Sequence, residues 1–231
     1  MLEFLLSGFF YYILFNFVFY LSNLVLYLID TNYTFVRRKI QPKPIEELIA
    51  VYKKCLPVAL KNTFIYNLPA VVILPIIINW YGFNFSWGKT IFDLLMSYIL
   101  MDFVYYITHR ALHLDCFYTR FHKKHHEITA PIGLAATYLT VVDFYSNIFS
   151  IYLPPIILSA DHTTMTIWVI ISTLNTVFIG HSGYSPIASF HDNHHEYFNY
   201  NYGVGVFSDN MFNTKYVRLS AKTSNLALLG R

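Results

Sequence analysis

Apolar residues in this chain gather in long runs without charge, parted by short polar stretches. Phe4 to Ile29 carries no charged residue over 26 positions, and a helix that crosses a bilayer needs about 20. Asp30 closes that run. Asn62 to Gly88 is a second uncharged stretch, broken by Pro69 and Pro75, which predicts a kinked span. Thr90 to Ile107 is a third, with Asp93 near one end and Asp102 deeper. Phe144 to Ala160 and Thr163 to Gly180 follow, 17 and 18 residues long and separated by Asp161 and His162. Extending the first of these back towards Ile132 gives it spanning length and draws Asp143 inside. The pattern predicts an all-α, multispanning membrane protein of about four transmembrane helices, capped by a cytosolic, helical, histidine-rich region. One integral-membrane domain over 1–231 is expected. Residues 1–101 hold the first span, a basic linker and a hairpin of spans, and 102–231 hold the remaining runs and the histidine-rich region.

The polar stretches set the orientation. Arg37, Arg38, Lys39, Lys43, Lys53, Lys54 and Lys61 crowd the segment after the first run, against Glu46 and Glu47. The positive-inside rule puts this loop in the cytoplasm and the amino terminus across the membrane. Pro42, Pro44 and the surrounding charges suggest a surface segment with an interfacial helix through Leu60. The amino-terminal run lacks a basic flank and exceeds the 7–15 residues of a signal-peptide core, so it reads as a first span.

Composition agrees. Of 231 residues 55% are hydrophobic and only 13% charged, against about 25% charged in soluble domains. A net charge of +3, scattered along the chain, is no footprint for nucleic acid. Cys55 and Cys116 lack metal or redox spacing and are expected as free thiols in a reducing setting, with a pairing left open.

Eight of the ten histidines fall into three clusters with a repeated grammar. His109 and His113 read HxxxH; His122, His125 and His126 read HxxHH, as do His191, His194 and His195. Residues three and four apart share a helix face, so each cluster is expected to aim two or three imidazoles at one point. Imidazole suits iron, zinc, copper and nickel. Eight nitrogens exceed what one tetrahedral ion accepts, so the natural reading is a pair of metal ions. Shared metals require the clusters to lie on one side of the membrane, and two crossings separate His126 from His181. His181, at the end of the last run, is expected as a ninth ligand. His162 lies in the turn at the opposite membrane face and is rejected. Acids that could receive the other ring N–H of a ligand are Asp102, Glu127, Asp192, Glu196 and Asp209. Asp102, an acid within a span, is a functional candidate by default, and with Asp192 it is taken as a supporting catalytic residue.

Here the motifs resemble a known group. DFVYYITHRALH at Asp102–His113, FHKKHHE at Phe121–Glu127, HSGY at His181–Tyr184, HDNHH at His191–His195 and FNYNYG at Phe198–Gly203 are together similar to the fatty acid hydroxylase superfamily. That group includes sterol C-4 methyl oxidases, sterol desaturases, cholesterol 25-hydroxylases and fatty-acyl hydroxylases. The likeness covers roughly Asp102 to Thr214. It implies a multispanning enzyme of the endoplasmic reticulum, its histidines facing the cytosol. Such an enzyme uses two iron ions and O₂, with electrons from NAD(P)H through a b-type cytochrome and its reductase. It also implies His109, His113, His122, His125, His126, His191, His194 and His195 as ligands. The stretch Ala130–Tyr138 followed by HSGY resembles the methylsterol oxidases most. Two positions depart from that pattern. Thr140, Val141, Val142 and Asp143 stand where a His-Pro-x-Glu stretch is usual, which is closer to the cholesterol 25-hydroxylase pattern, and Asn213 replaces a glycine in a turn that needs positive φ, which Asn tolerates. The expected activity is O₂-dependent hydroxylation of an unactivated C–H bond of a sterol. Action on an acyl chain or sphingolipid, or desaturation, is the alternative on the same fold; a non-catalytic metal-binding membrane protein is a third reading.

Overall fold

The computed structural model describes residues 2–70 and 85–217. Pro75 and most of the second uncharged stretch lie outside them. Regular structure among the described residues is helical, apart from one isolated bridge between Lys39 and Tyr184.

Helix α1 (Leu2–Asp30) turns the soluble pattern inside out. Leu6, Ile13, Phe17, Leu24 and Leu28 are exposed, whereas Asn16, Ser22 and Asn23 are buried. Lipid solvates apolar side chains as well as a protein interior does, so the polar groups turn inward to find partners. The amides of Asn16 and Asn23 donate to the carbonyls of Tyr12 and Phe19, 2.9 Å each. Helix α2 (Ile45–Leu60) has the opposite character. Ile45, Leu48, Tyr52, Cys55 and Ala59 make a buried stripe at three- and four-residue spacing, Lys53 and Lys54 are exposed, and Glu46 and Glu47 favour its positive N-terminal end. It does not stop at Leu60, as the interfacial reading expected. It runs on through a π-helical turn, Lys61–Tyr66, and regains α geometry over 67–70.

Helices α3 (Trp87–Leu112), α4 (Val141–Ile157) and α5 (His162–Leu174) complete the bundle, α5 continuing through a π turn at Asn175–Gly180. Among the described residues, three helices are long and apolar enough to cross a membrane: Leu5–Asp30, Trp87–Leu112 and His162–Gly180. The backward extension of α4 does not form. Thr140 caps α4, its side chain accepting from the Asp143 N–H, and the preceding segment is a buried 3₁₀ turn, Gly133–Thr137. At 17 residues α4 is about 25 Å long, short of the ~30 Å hydrocarbon core. The turn is wedged so tightly onto α1 that a Cβ at Gly133 would overlap Asn23 Oδ1 and Leu26. The backbone it leaves without helical partners is satisfied from α2, where Asn62 Nδ2 donates to Thr137 and Leu139 at 2.8 and 3.1 Å.

At the end of the bundle where α3 and α5 finish, α1 is stapled to the HSGY segment. Asp30 accepts from Lys39 Nζ (2.8 Å), the Tyr52 hydroxyl (2.9 Å) and the Tyr184 hydroxyl (2.8 Å). Two short helices finish the described chain, α6 (Ser189–Tyr197) and α7 (Phe207–Met211). Cys55 is buried and Cys116 exposed, both as free thiols.

Candidate metal centre

Nine histidines converge at that end. The metal-ligating atoms of His109, His113, His122, His126 and His194 lie within 4.8 Å of one another, and so do those of His125, His181, His191 and His195. Eight of the nine are buried, and His113 partly so.

The groups do not follow the sequence clusters. His122 and His126 serve the five-membered group and His125 the other; His191 and His195 serve the four-membered group and His194 the other. Successive residues of an α-helix point about 100° apart, so on α6 the adjacent His194 and His195 cannot face one point. The i,i+4 pair does. Each HxxHH sends a pair to one group and a single ring to the other, in opposite senses, and the two groups are interlocked, the first from a π turn ending at His122 and a 3₁₀ turn at His125–Glu127. Sequence placed two or three rings of each cluster on one point; that holds for the pairs alone. His109, in the last turn of α3, and His113, its cap, join the five-membered group.

Rings meet through Nε2. The separations are 3.0 Å for His109–His122, 3.2 Å for His113–His126 and His126–His194, and 3.1 Å for His191–His195. Two nitrogens bound about 2.1 Å from one ion at right angles stand about 3.0 Å apart. Protonation points the same way. His109 Nδ1 is 2.8 Å from the Tyr202 carbonyl and His122 Nδ1 is 2.7 Å from Asp143 Oδ2. With each Nδ1–H so donated, the two Nε2 atoms face each other as lone pairs, an arrangement that needs positive charge between them. Nδ1 of His194 and His181 is likewise turned to the carbonyls of Tyr200 (2.6 Å) and Thr176 (2.9 Å). His181 Nε2 is then sealed from solvent without a hydrogen-bond partner among the described residues. Burial favours the neutral ring at several of them: His113 is lowered to about 3 and His181 to about 4, both mainly by desolvation. His125, His191, His194 and His195 are pushed well below the ordinary value, by burial first and by neighbouring rings second. Neutral imidazole is the ligating form, and the all-imidazole donor set fits two divalent transition-metal ions such as iron.

Aromatic rings close the centre. Tyr202 lies 5.1 Å from His113 and Phe198 4.7 Å from His126, between ring centroids. Phe198 ends α6 at φ 61°, a costly conformation for a bulky side chain.

The carboxylates are arranged differently from expectation. Asp102 holds no ring; it accepts from the backbone N–H groups of Gly205 (2.6 Å) and Ser208 (2.8 Å). Asp209 accepts from Tyr202 N, Gly203 N and Thr214 Oγ1 at 2.9, 2.7 and 2.6 Å. The two acids clamp the loop whose Tyr200 and Tyr202 carbonyls orient His194 and His109. A Cβ at Gly203 would stand 2.6 Å from Asp102 Oδ1, so only glycine fits. Asp192 accepts from Gln41 Nε2 at 3.1 Å, and burial pushes its carboxyl up to about 6. Glu127 pairs with Lys54 at the surface, 2.8 Å, and Glu196 is exposed. The acid that does meet a ring, Asp143, was read from sequence as the cost of lengthening a span; the argument applied to Asp102, an acid in an apolar run, would have found it. Asn213 has φ 55°, the left-handed turn expected where glycine is usual. His162 stands at the far end of α5, beside the Tyr11 hydroxyl at 2.9 Å, outside both groups.

The sequence profile of the family described as Fatty acid hydroxylase matches residues 94–214, just over half of the chain and the whole of the centre except its support from α1 and α2. The chain is 30% identical over 183 residues to human Fatty acid hydroxylase domain-containing protein 2, covering 73% of this chain and 54% of that protein. It is 29% identical over 195 residues to Methylsterol monooxygenase 2-2 of Arabidopsis thaliana, 77% and 72% of the two chains. Over 210 residues it is 29% identical to Very-long-chain aldehyde decarbonylase GL1-11 of Oryza sativa subsp. indica, 84% and 78%. The chain spans about half the length of the human relative and of its macaque counterpart. No solved structure matches. From its matched residues and the histidines they carry, the chain belongs to the fatty acid hydroxylase family.

Proposed function

We propose that the protein is a di-iron, O₂-dependent membrane oxygenase that hydroxylates an unactivated C–H bond of a sterol. The observation that carries this is the convergence of nine imidazoles into two interlocked groups, with tautomers set by Asp143 and by the carbonyls of Thr176, Tyr200 and Tyr202. His109, His113, His122, His126 and His194 would hold one ion and His125, His181, His191 and His195 the other. Two iron ions would supply the activation of O₂ that C–H oxidation needs. The chain's own part is to keep the rings neutral and aimed, to place a lipid carbon beside them, and to exclude water behind Phe198 and Tyr202. Likeness to a methylsterol monooxygenase supports the sterol. We place the centre on the cytosolic side of the endoplasmic reticulum membrane, because the basic segment Arg37–Lys61 lies at the same end as the histidines, and we assign electron supply to NAD(P)H through a b-type cytochrome.

The test is metal analysis of the purified chain with lipid mass spectrometry of cells that express it. Two irons per chain and a hydroxylated sterol, absent with His125→Ala, are expected. A hydroxylated acyl chain in its place would transfer the activity to the acyl branch. A lipid profile identical with and without His125 would end the enzymatic reading.

A further inference from the structure

Two cavities meet beside the four-histidine group. One reaches His181 and His191, the other runs towards Phe15 of α1, and Asn147, Ile151 and Thr176 line both. Their free space is small, about 40 and 30 Å³, room for a water or two, and anything larger enters only if the walls part. Hydrogen-bonding capacity along this passage is unevenly spent. The hydroxyl hydrogens of Ser172, Thr173 and Thr176 turn back to carbonyls of their own helix, at 2.6 to 2.9 Å. Asn147 uses both amide hydrogens on Asp143, at 2.9 Å to its carbonyl and 3.1 Å to Oδ1. No described residue donates to Asn147 Oδ1. Flipping the amide would set that oxygen against the Asp143 carboxylate, so its orientation is fixed by the same acid that fixes His122. The passage thus has at Asn147, half-buried, an amide oxygen that no described residue donates to, one residue removed from a metal-site histidine.

We infer that Asn147 is the positioning residue for the substrate: its Oδ1 accepts a hydrogen bond from a hydroxyl of an otherwise apolar lipid and holds a neighbouring carbon beside the four-histidine group. The inference rests on the lipid-oxygenase reading and narrows it to lipids whose hydroxyl lies near the reacting carbon. A mid-chain methylene offers no donor there and would leave the acceptor without a partner from the substrate.

Binding of two radiolabelled probes to the metal-loaded full chain in lipid nanodiscs tests this without turnover: a 4,4-dimethylsterol, and the 3-ketone made from it, which lacks the donor. Wild type should prefer the alcohol by about tenfold or more, the scale of one hydrogen bond and the penalty for leaving it unmade. In Asn147→Leu the ratio should fall close to one while two metal ions per chain are retained. Asn147→Ala, smaller and easier to accommodate, repeats the comparison if the leucine variant does not accumulate. Equal binding of both probes by wild type, or an unchanged preference in the variants, overturns the inference. A ratio near one reached only with loss of metal assigns Asn147 to the support of Asp143 and overturns it too. A preserved tenfold preference in a protein that forms no oxidised product would sink the oxygenase reading and leave Asn147 in place.

Discussion

His122 and Asp143 stand 2.7 Å apart, Nδ1 to Oδ2, with both side chains about 1% exposed. The carboxylate fixes the tautomer and raises the basicity of the opposite nitrogen, and losing such a partner commonly costs 10- to 100-fold in metal affinity. Asp143→Asn keeps the shape and removes the charge. The variant is expected to surrender metal to a chelator at about 10- to 100-fold lower chelator concentration than wild type, read by metal content after dialysis.

Interlocking of the two groups predicts an asymmetry between double variants. His191→Ala with His195→Ala strips two rings from the four-membered group and should leave about one ion per chain. His191→Ala with His194→Ala removes one ring from each group and should weaken both ions instead. Metal titrations of the two proteins distinguish these outcomes. Identical behaviour would mean that each sequence cluster serves a single ion after all.

The staple between Asp30 and Lys39 is sealed, with side chains 0% and 2% exposed, and burial lowers the lysine while the aspartate draws it back up. Lys39→Met leaves a buried carboxylate held by two tyrosines alone, a change that typically costs about 3–5 kcal/mol. The expected fall in melting temperature is on the order of 10 °C for a chain of this size. Asp30→Asn together with Lys39→Met should recover most of it, because no unpaired charge remains. Since Tyr184 belongs to the segment that carries His181, metal retention should fall in Lys39→Met and recover in the double variant.

Stability of the metal-free protein should depend steeply on acid. His113 near 3 and His181 near 4 lie below the unfolded value of about 6.5, so below that pH the unfolded chain binds protons that the folded one refuses. Stability contributed by these neutral rings is complete above about pH 6.5 and drains away as the pH falls towards 4 and then 3. Thermal melts of the metal-free chain from pH 8 to 5 should show a monotonic loss below pH 6.5. A flat profile would contradict the neutral, buried histidines.

His162 serves as a control. It sits at the far end of α5, about 28 Å of helix from His181 by the rise of 19 residues. His162→Ala should leave metal content unchanged and product formation nearly so.

Period and composition alone determined a good deal of this protein. Long uncharged runs announce membrane-crossing helices because the bilayer leaves backbone groups no other partner. The HxxxH and HxxHH spacings announce converging imidazoles because helical neighbours four apart share a face. Rejection of His162 also follows from the linear order. Only the tertiary structure decided which ring serves which group, since that depends on the 100° between adjacent residues of α6 and on where α3 meets it. Asp143 rather than Asp102 came to hold a histidine because Gly133–Thr137 packs against α1 as a buried turn and starts α4 at Thr140. Asp102, two turns below His109, was left to clamp the loop at Gly203. Local sequence sets the direction of a side chain within its own helix; the partner it finds is set by how the helices pack.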